Sequence, residues 1–224
     1  MATVVLLPGA CHGGWWFEPL VRRLGELGHE ARAVTLAGVG ERADELTGRV
    51  TLDSHVAETA EPVAAEAAEQ VVLVGHSYAG SVITGVADRI PARVGALLYL
   101  DAFLPEDGDS CWSMTNGEQR RWYIEGAGRT GLAVDPLPFF DSRATPHPLA
   151  TLLQRSRLSG AWRSIPIKHY AAAASPEWLP LSPFVPTTER LRGDPGWTVH
   201  DLPVGHNVLV NGPDLVLDLI LRLT

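Results

Sequence analysis

Residues 71–80 read Val71-Val72-Leu73-Val74-Gly75-His76-Ser77-Tyr78-Ala79-Gly80. Four apolar, mostly β-branched residues predict a buried strand over Val71–Val74, which runs directly into a serine between small residues. A helix is predicted from Ser77 to about Arg89, stopped by Pro91. A serine on a strained turn between strand and helix presents its hydroxyl at the strand's end, where it can act as a nucleophile. That turn tolerates little bulk two residues either side of the serine. Gly75 meets the requirement, whereas Ala79 stands where a second glycine is usual and adds a methyl group. A G-x-S-x-small match alone also fits an ordinary turn with an incidental serine; the strand before it and the helix after it favour the nucleophile.

The rest of the chain alternates in the same way. Thr3–Leu7 is apolar and β-branched, then Pro8-Gly9-Ala10 breaks it. Phe17, Leu20, Val21, Leu24 and Leu27 recur at helical spacing, with Gly28 as the cap. A short strand is expected over Ala31–Leu36, and a helix from an N-cap at Asp53 to near Glu69. Val94–Leu100 is a further apolar strand. Residues 105–163 change character, with Pro136, Pro138, Pro146 and Pro148 and no strand of comparable quality. Trp112, Trp122, Tyr123, Phe139, Phe140 and Trp162 are scattered through them. This stretch reads as an inserted lid of short helices and loops. Strands resume at Ile165–Ala171 and Trp197–Leu202, and Gly212-Pro213-Asp214 opens a last helix with Pro in its first turn. The expected fold is a single α/β domain over residues 1–224, with a mostly parallel central sheet and helices on both faces.

Bulk composition narrows the function. The 224 residues carry 18 Lys+Arg against 26 Asp+Glu, a net charge of −8, with no basic run, so nucleic-acid binding has no electrostatic support. Cys11 and Cys111 are too few for a disulfide framework. No basic segment precedes the first strand and no apolar stretch approaches membrane-spanning length, so no signal peptide and no membrane partner are expected, and a reducing cytoplasm is the default compartment. The eight histidines are dispersed, without H-E-x-x-H or paired cysteines, so no metal is expected. Gly38-Val39-Gly40 starts a G-x-G but lacks the third glycine of a dinucleotide fingerprint. No cofactor is called for.

A nucleophilic serine needs a base, and the base needs an orienting acid. His206, in Leu202-Pro203-Val204-Gly205-His206-Asn207, lies between the last strand and the last helix, where a base belongs. The acid is commonest past the strand Ile165–Ala171, but that stretch continues Ala172-Ala173-Ala174-Ser175-Pro176-Glu177 with no Asp at its tip. Asp101 ends the strand after the nucleophile's and can reach the same histidine. Placement favours Asp101 over Glu177, with Asp194 in a turn and Asp201 within a strand behind them. An N-cap or a salt bridge would also account for Asp101. Oxyanion donors are expected at the Ala10 and Tyr78 amides. The first lies in the glycine-rich loop Pro8-Gly9-Ala10-Cys11-His12-Gly13-Gly14, and the second opens the helix after Ser77.

Four blocks, in this order, carry a family resemblance: Leu7-Pro8-Gly9-Ala10-Cys11-His12-Gly13-Gly14-Trp15, Val74-Gly75-His76-Ser77-Tyr78-Ala79-Gly80, Leu100-Asp101-Ala102-Phe103-Leu104-Pro105 and Gly205-His206. The chain resembles the α/β-hydrolase superfamily, in the branch of plant methyl-ester esterases, hydroxynitrile lyases and their small bacterial relatives. The resemblance implies an α/β-hydrolase fold and a cofactor-free serine hydrolase acting on a carboxylic ester. Pro8 replaces the His usual before the oxyanion glycine, and the Asp usual past the later strand is missing. Hydroxynitrile lyases of this branch carry a Lys just after the histidine. Here that position is Asn207, which disfavours cyanohydrin cleavage. A lyase, cyclase or rearrangement catalyst on the same fold, or a binding protein with a degenerate site, are the rival readings.

Overall fold

The computed structural model describes residues 3–68 and 70–224. In chain order the elements begin with β1 (Thr3–Leu7), α1 (Glu18–Glu26), β2 (Glu30–Ala33), α2 (Leu52–Ala65), β3 (Val71–His76), α3 (Ala79–Arg89) and β4 (Val94–Leu100). Between β4 and the next strand of the main sheet come α4 (Cys111–Met114), α5 (Gly117–Ala127), β5 (Ala133–Val134), β6 (His147–Pro148) and α6 (Leu149–Leu153). β7 (Ile167–Ala173), α7 (Val185–Arg192), β8 (Thr198–Leu202), α8 (Val208–Asn211) and α9 (Pro213–Leu221) complete the chain.

The main sheet has the order β2-β1-β3-β4-β7-β8, and every pairing in it is parallel. Parallel strands need crossovers, and the helices that provide them cover both faces, so the strands are apolar on both sides. The pleat divides each strand between two cores. Val5, Leu7, Leu73, Leu97 and Tyr99 face α2 and α3. Val4, Leu6, Val72, Val74 and Leu98 face α1 and α9, meeting Leu20, Leu24, Val216 and Ile220. β3 and β4 lie at the centre, so whatever follows their carboxyl ends emerges mid-sheet, where ligands bind in this architecture.

Several boundaries differ from the expected ones for identifiable reasons. α2 is capped by Thr51 rather than Asp53. The Thr51 side chain accepts from the Ser54 amide while Ser54 returns a bond to the Thr51 amide, a reciprocal box unavailable to Asp53. Asp53 sits in the first turn and takes a bond from Gln154 instead (2.9 Å). α2 ends at Ala65; Glu69, near its expected end, lies outside the described residues. β2 is shorter than expected and β7 is displaced two residues along the chain, while α3 starts at Ala79 because Ser77 is not helical. β5 and β6 form a two-stranded antiparallel ribbon within residues 105–163 that no periodicity announced.

Ala79 is fully buried without disturbing the turn. The crowding falls on its neighbours. A Cβ at Gly75 would meet the Ala79 carbonyl oxygen at 2.9 Å, and one at Gly80 would run into the carbonyl oxygen of Phe103. The glycine this turn requires on its helical side is therefore Gly80.

Candidate active site

Three non-glycine residues among those described have left-handed backbone conformations: Cys11 (φ 70°), Ser77 (φ 53°) and Asp101 (φ 43°). Each costs an L-residue about 1–2 kcal/mol, and such strain persists where the surroundings hold it. All three follow the carboxyl ends of neighbouring strands. Ser77 is held through its backbone: its N–H donates to the Leu100 carbonyl (3.2 Å), and its own carbonyl accepts from Gly80 and Phe103 (3.1 Å each). Asp101 N–H donates to the Ala171 carbonyl at 2.8 Å.

These turns bring Ser77, His206 and Asp101 into one chain of hydrogen bonds. Ser77 Oγ lies 3.1 Å from His206 Nε2, and His206 Nδ1 lies 2.7 Å from Asp101 Oδ2. The carboxylate can only accept, so Nδ1 carries the proton and Nε2 presents its lone pair to the serine. Asp101 is 1% exposed, and its Oδ1 accepts the Ala173 N–H at 3.1 Å. Glu177 is exposed and has no hydrogen bond to His206 among the described residues. Asp201 pairs with Arg192 and Asp194 bonds to the Gly196 amide, so neither joins the chain.

His206 is fixed on further sides. Its carbonyl accepts the Nε2–H of His76 at 2.9 Å. Its ring lies nearly parallel to those of Trp178 (centroids 4.8 Å apart, 23°) and Phe184 (5.6 Å, 21°). Burial, with the neighbouring His206 as a secondary cause, pushes the His76 pKa well below the usual histidine range.

The Ala10 and Tyr78 amides have no hydrogen-bond partner among the described residues, and both residues border the same cavity as Ser77. Two buried histidines hold their surroundings. His55 donates Nε2–H to the Ala37 carbonyl and accepts the Tyr78 hydroxyl at Nδ1 (2.9 Å each). His147 accepts the Cys11 N–H at Nδ1 (3.2 Å) and donates Nε2–H to Thr151 Oγ1 (2.9 Å), whose own proton goes to the Pro148 carbonyl. The Cys11 carbonyl takes the Thr145 N–H at 3.0 Å. Residues 145–147 thus grip both sides of the strained Cys11, next to Ala10. Burial pushes the Cys11 thiol up and raises that of Cys111 to about 12, so neither is a ready nucleophile.

His55 and His147 each meet one donor and one acceptor partner, which suits a neutral ring. Desolvation by burial lowers the pKa of His12, His55, His76 and His147. Below an unfolded-state pKa of about 6.5 the unfolded chain therefore binds more protons than the fold. Their contribution to stability is complete above that pH and is lost as pH falls. The urea midpoint is expected to be level above about pH 7 and to drop toward pH 5. His55→Gln and His147→Gln, which retain a donor and an acceptor without titrating, should remove part of that slope. A slope unchanged in both variants would refute this account.

The cavity beside Ser77 measures ≈ 490 Å³. Trp16, Phe103 and Trp178 wall it from the sheet side, and Trp122, Tyr123 and Phe140 from residues 105–163. Trp122 is fixed by donating its indole N–H to the Asp135 carbonyl at 2.9 Å. Trp112, also within residues 105–163, packs against the core and does not border the cavity. His12 Nδ1 must donate to the Ala10 carbonyl (2.7 Å), which leaves Nε2 as an acceptor on the cavity wall.

The sequence pattern that defines the alpha/beta hydrolase family matches residues 4–219. The chain belongs to this family. A similar family member is the carbendazim hydrolyzing esterase of Nocardioides sp. (strain SG-4G), 36% identical over 235 aligned residues that cover 96% of each chain. Salicylic acid-binding protein 2 of Nicotiana tabacum is 34% identical over 105 residues, 46% of this chain and 40% of that one. Among solved structures, an extracellular alpha/beta-hydrolase from a Paenibacillus species superimposes with a TM-score of 0.82 over 99% of this chain and 98% of its own, at 22% identity. This alpha/beta hydrolase thus keeps the family's sheet. Trp178, His76 and His12 were not singled out from the sequence as parts of the site. His76 was visible beside Ser77, but its bond to a carbonyl 130 residues away was not.

Proposed function

We propose that the protein is a cofactor-free serine esterase acting on a small molecule with a flat, apolar portion. The observation that carries this reading is the continuous chain Ser77–His206–Asp101 at the floor of an aromatic cavity. Ser77 Oγ attacks the ester carbonyl as its proton passes to His206 Nε2, forming a C–O bond to the enzyme. The imidazolium is held by Asp101, and the oxyanion takes the Ala10 and Tyr78 N–H groups. Collapse expels the alcohol, which leaves with the proton from His206. Water then repeats the sequence, with His206 as base, and releases the acid and Ser77. Residues 105–163 act as the lid that selects the substrate, through Trp122, Tyr123 and Phe140. The bacterial relative named for carbendazim hydrolysis makes carbendazim a substrate to try. Two free, buried thiols favour a reducing, cytoplasmic setting.

The test pairs turnover with active-site labelling. A fluorophosphonate is expected to form one adduct, on Ser77, and to abolish hydrolysis of p-nitrophenyl acetate, of aryl methyl esters and of carbendazim, where accepted, in step. A Ser77 adduct with no turnover of any ester would move the reading to a lyase or cyclase. No adduct on the folded protein would leave a binding protein.

A further inference from the structure

We propose that Trp178 is a positioning residue for the Asp101–His206 pair, and that its indole N–H is what the loop after β7 contributes to catalysis in place of a carboxylate. This rests on the esterase reading above. The loop after β7 is where the acid is usual, and it offers only Glu177, which is exposed and unconnected to His206 among the described residues. Its next residue points the other way in chemical terms. Trp178 Nε1–H donates to Asp101 Oδ2 at 2.8 Å, the same oxygen that accepts His206 Nδ1–H at 2.7 Å.

The geometry gives this bond a specific task. Ala173 N–H holds Oδ1 and Trp178 holds Oδ2, so the carboxylate is gripped at both oxygens before His206 is counted. Without the indole N–H, Oδ2 would be held only by the imidazole it is meant to orient. The indole also lies nearly parallel to His206, so one side chain sets the carboxylate's rotation and limits the tilt of the imidazole. Trp178 is itself anchored. Its backbone N–H donates to the Ser175 carbonyl (3.1 Å), and the Ser175 N–H donates to the Val204 carbonyl (3.1 Å), in the loop that carries His206. The loops bearing the donor and the base are therefore tied to each other by backbone hydrogen bonds.

Sharing Oδ2 also has an electrostatic consequence. A donor on that oxygen draws charge away from His206, so its loss lets Asp101 hold the imidazolium more tightly. His76 and His12, whose charges couple to His206, are kept toward the neutral form by burial, and Glu118 borders the same cavity.

Trp178→Phe keeps an aromatic face and removes the N–H. With p-nitrophenyl acetate, kcat is expected to fall about tenfold to a hundredfold, the range for a hydrogen bond to a charged group. KM should change little, and the acid limb of kcat/KM should move to higher pH. Replacement of Trp178 by benzothienylalanine, which keeps the shape of the ring system without the N–H, should match Phe in all three respects. In an Asp101→Asn background the further loss from Trp178→Phe should vanish. A rise in KM with kcat unchanged would make Trp178 a cavity wall only and overturn the proposal. So would an equal fall in kcat in the Asp101→Asn background, or wild-type kcat in the benzothienylalanine protein. If Asp101→Asn is inactive while both Trp178 variants are normal, the proposal fails and the esterase reading stands. If Asp101→Asn is itself fully active, both the proposal and the acid assignment fail.

Discussion

Ser77→Ala is expected to reduce kcat/KM for any ester substrate by at least about 10⁵-fold while leaving the fold intact. The two halves of that expectation have separate causes. The Ser77 side chain makes one hydrogen bond among the described residues, to His206, so removing Oγ takes away the proposed nucleophile and little else. The turn is held by backbone bonds, from Ser77 N–H to Leu100 and to the Ser77 carbonyl from Gly80 and Phe103, which alanine makes equally well. Alanine and serine suffer the same steric cost at φ 53°, so the strain is unchanged. Thermal unfolding should coincide with wild type, and the cavity should still bind substrate, because Trp16, Trp122 and Phe140 are untouched. Steady-state kinetics beside a melting curve check both halves. Retention of more than about a hundredth of the activity would exclude a covalent intermediate on Ser77, since loss of such a nucleophile costs far more. A collapsed melting temperature would instead show that the serine hydroxyl holds the elbow.

What the sequence revealed of this site follows the range of the interactions involved. The elbow was legible because its signal is local: an apolar run, a glycine and a serine within a single strand–turn–helix unit. Asp101 and His206 were legible because each directly follows a readable strand, and a parallel sheet gathers the carboxyl ends of its strands on one side. The Thr51 cap was missed although Ser54 stands at the spacing that makes the reciprocal box. β5 and β6 were not legible, because two-residue strands have no periodicity, and their pairing of Ala133 with Pro148 depends on the folded segment around them. Trp178 is the clearest case. Its hydrogen bond spans 77 residues and depends on the exact path of the loop after β7, so nothing local distinguishes it from a core tryptophan. The missing late carboxylate was noticed in the sequence, but the residue occupying its neighbourhood could be assigned a part only once the direction of its N–H was known.

Asp101→Asn is expected to cost about three to four orders of magnitude in kcat, by analogy with the same change in serine proteases. The backbone should tolerate the change, since asparagine is among the residues that best accept a left-handed conformation such as φ 43°. Its amide, however, cannot satisfy all three donors that now converge on the carboxylate from Ala173, His206 and Trp178. With the amide oxygen toward Ala173, its NH₂ faces both His206 and Trp178. The imidazole must then move its proton to Nε2, where it can no longer accept from Ser77. With the oxygen toward His206 and Trp178 the tautomer survives, but the NH₂ meets the Ala173 N–H in a buried site, a clash of donors worth about 1–3 kcal/mol. The imidazolium formed during attack in this second orientation also faces a neutral amide, so charge stabilisation is lost there as well. The orientations differ in one measurable respect. The first blocks proton acceptance by His206 at every pH, whereas the second leaves a weak base whose activity still rises as it deprotonates. A residual rate that keeps a pH dependence would identify the second. Near-normal kcat in Asp101→Asn together with collapse in Glu177→Gln would transfer the acid role to the loop after β7. That outcome would require Glu177 to leave its exposed position and displace Trp178 from Oδ2 during turnover, exchanging a bond already made at 2.8 Å for one the fold does not prepare.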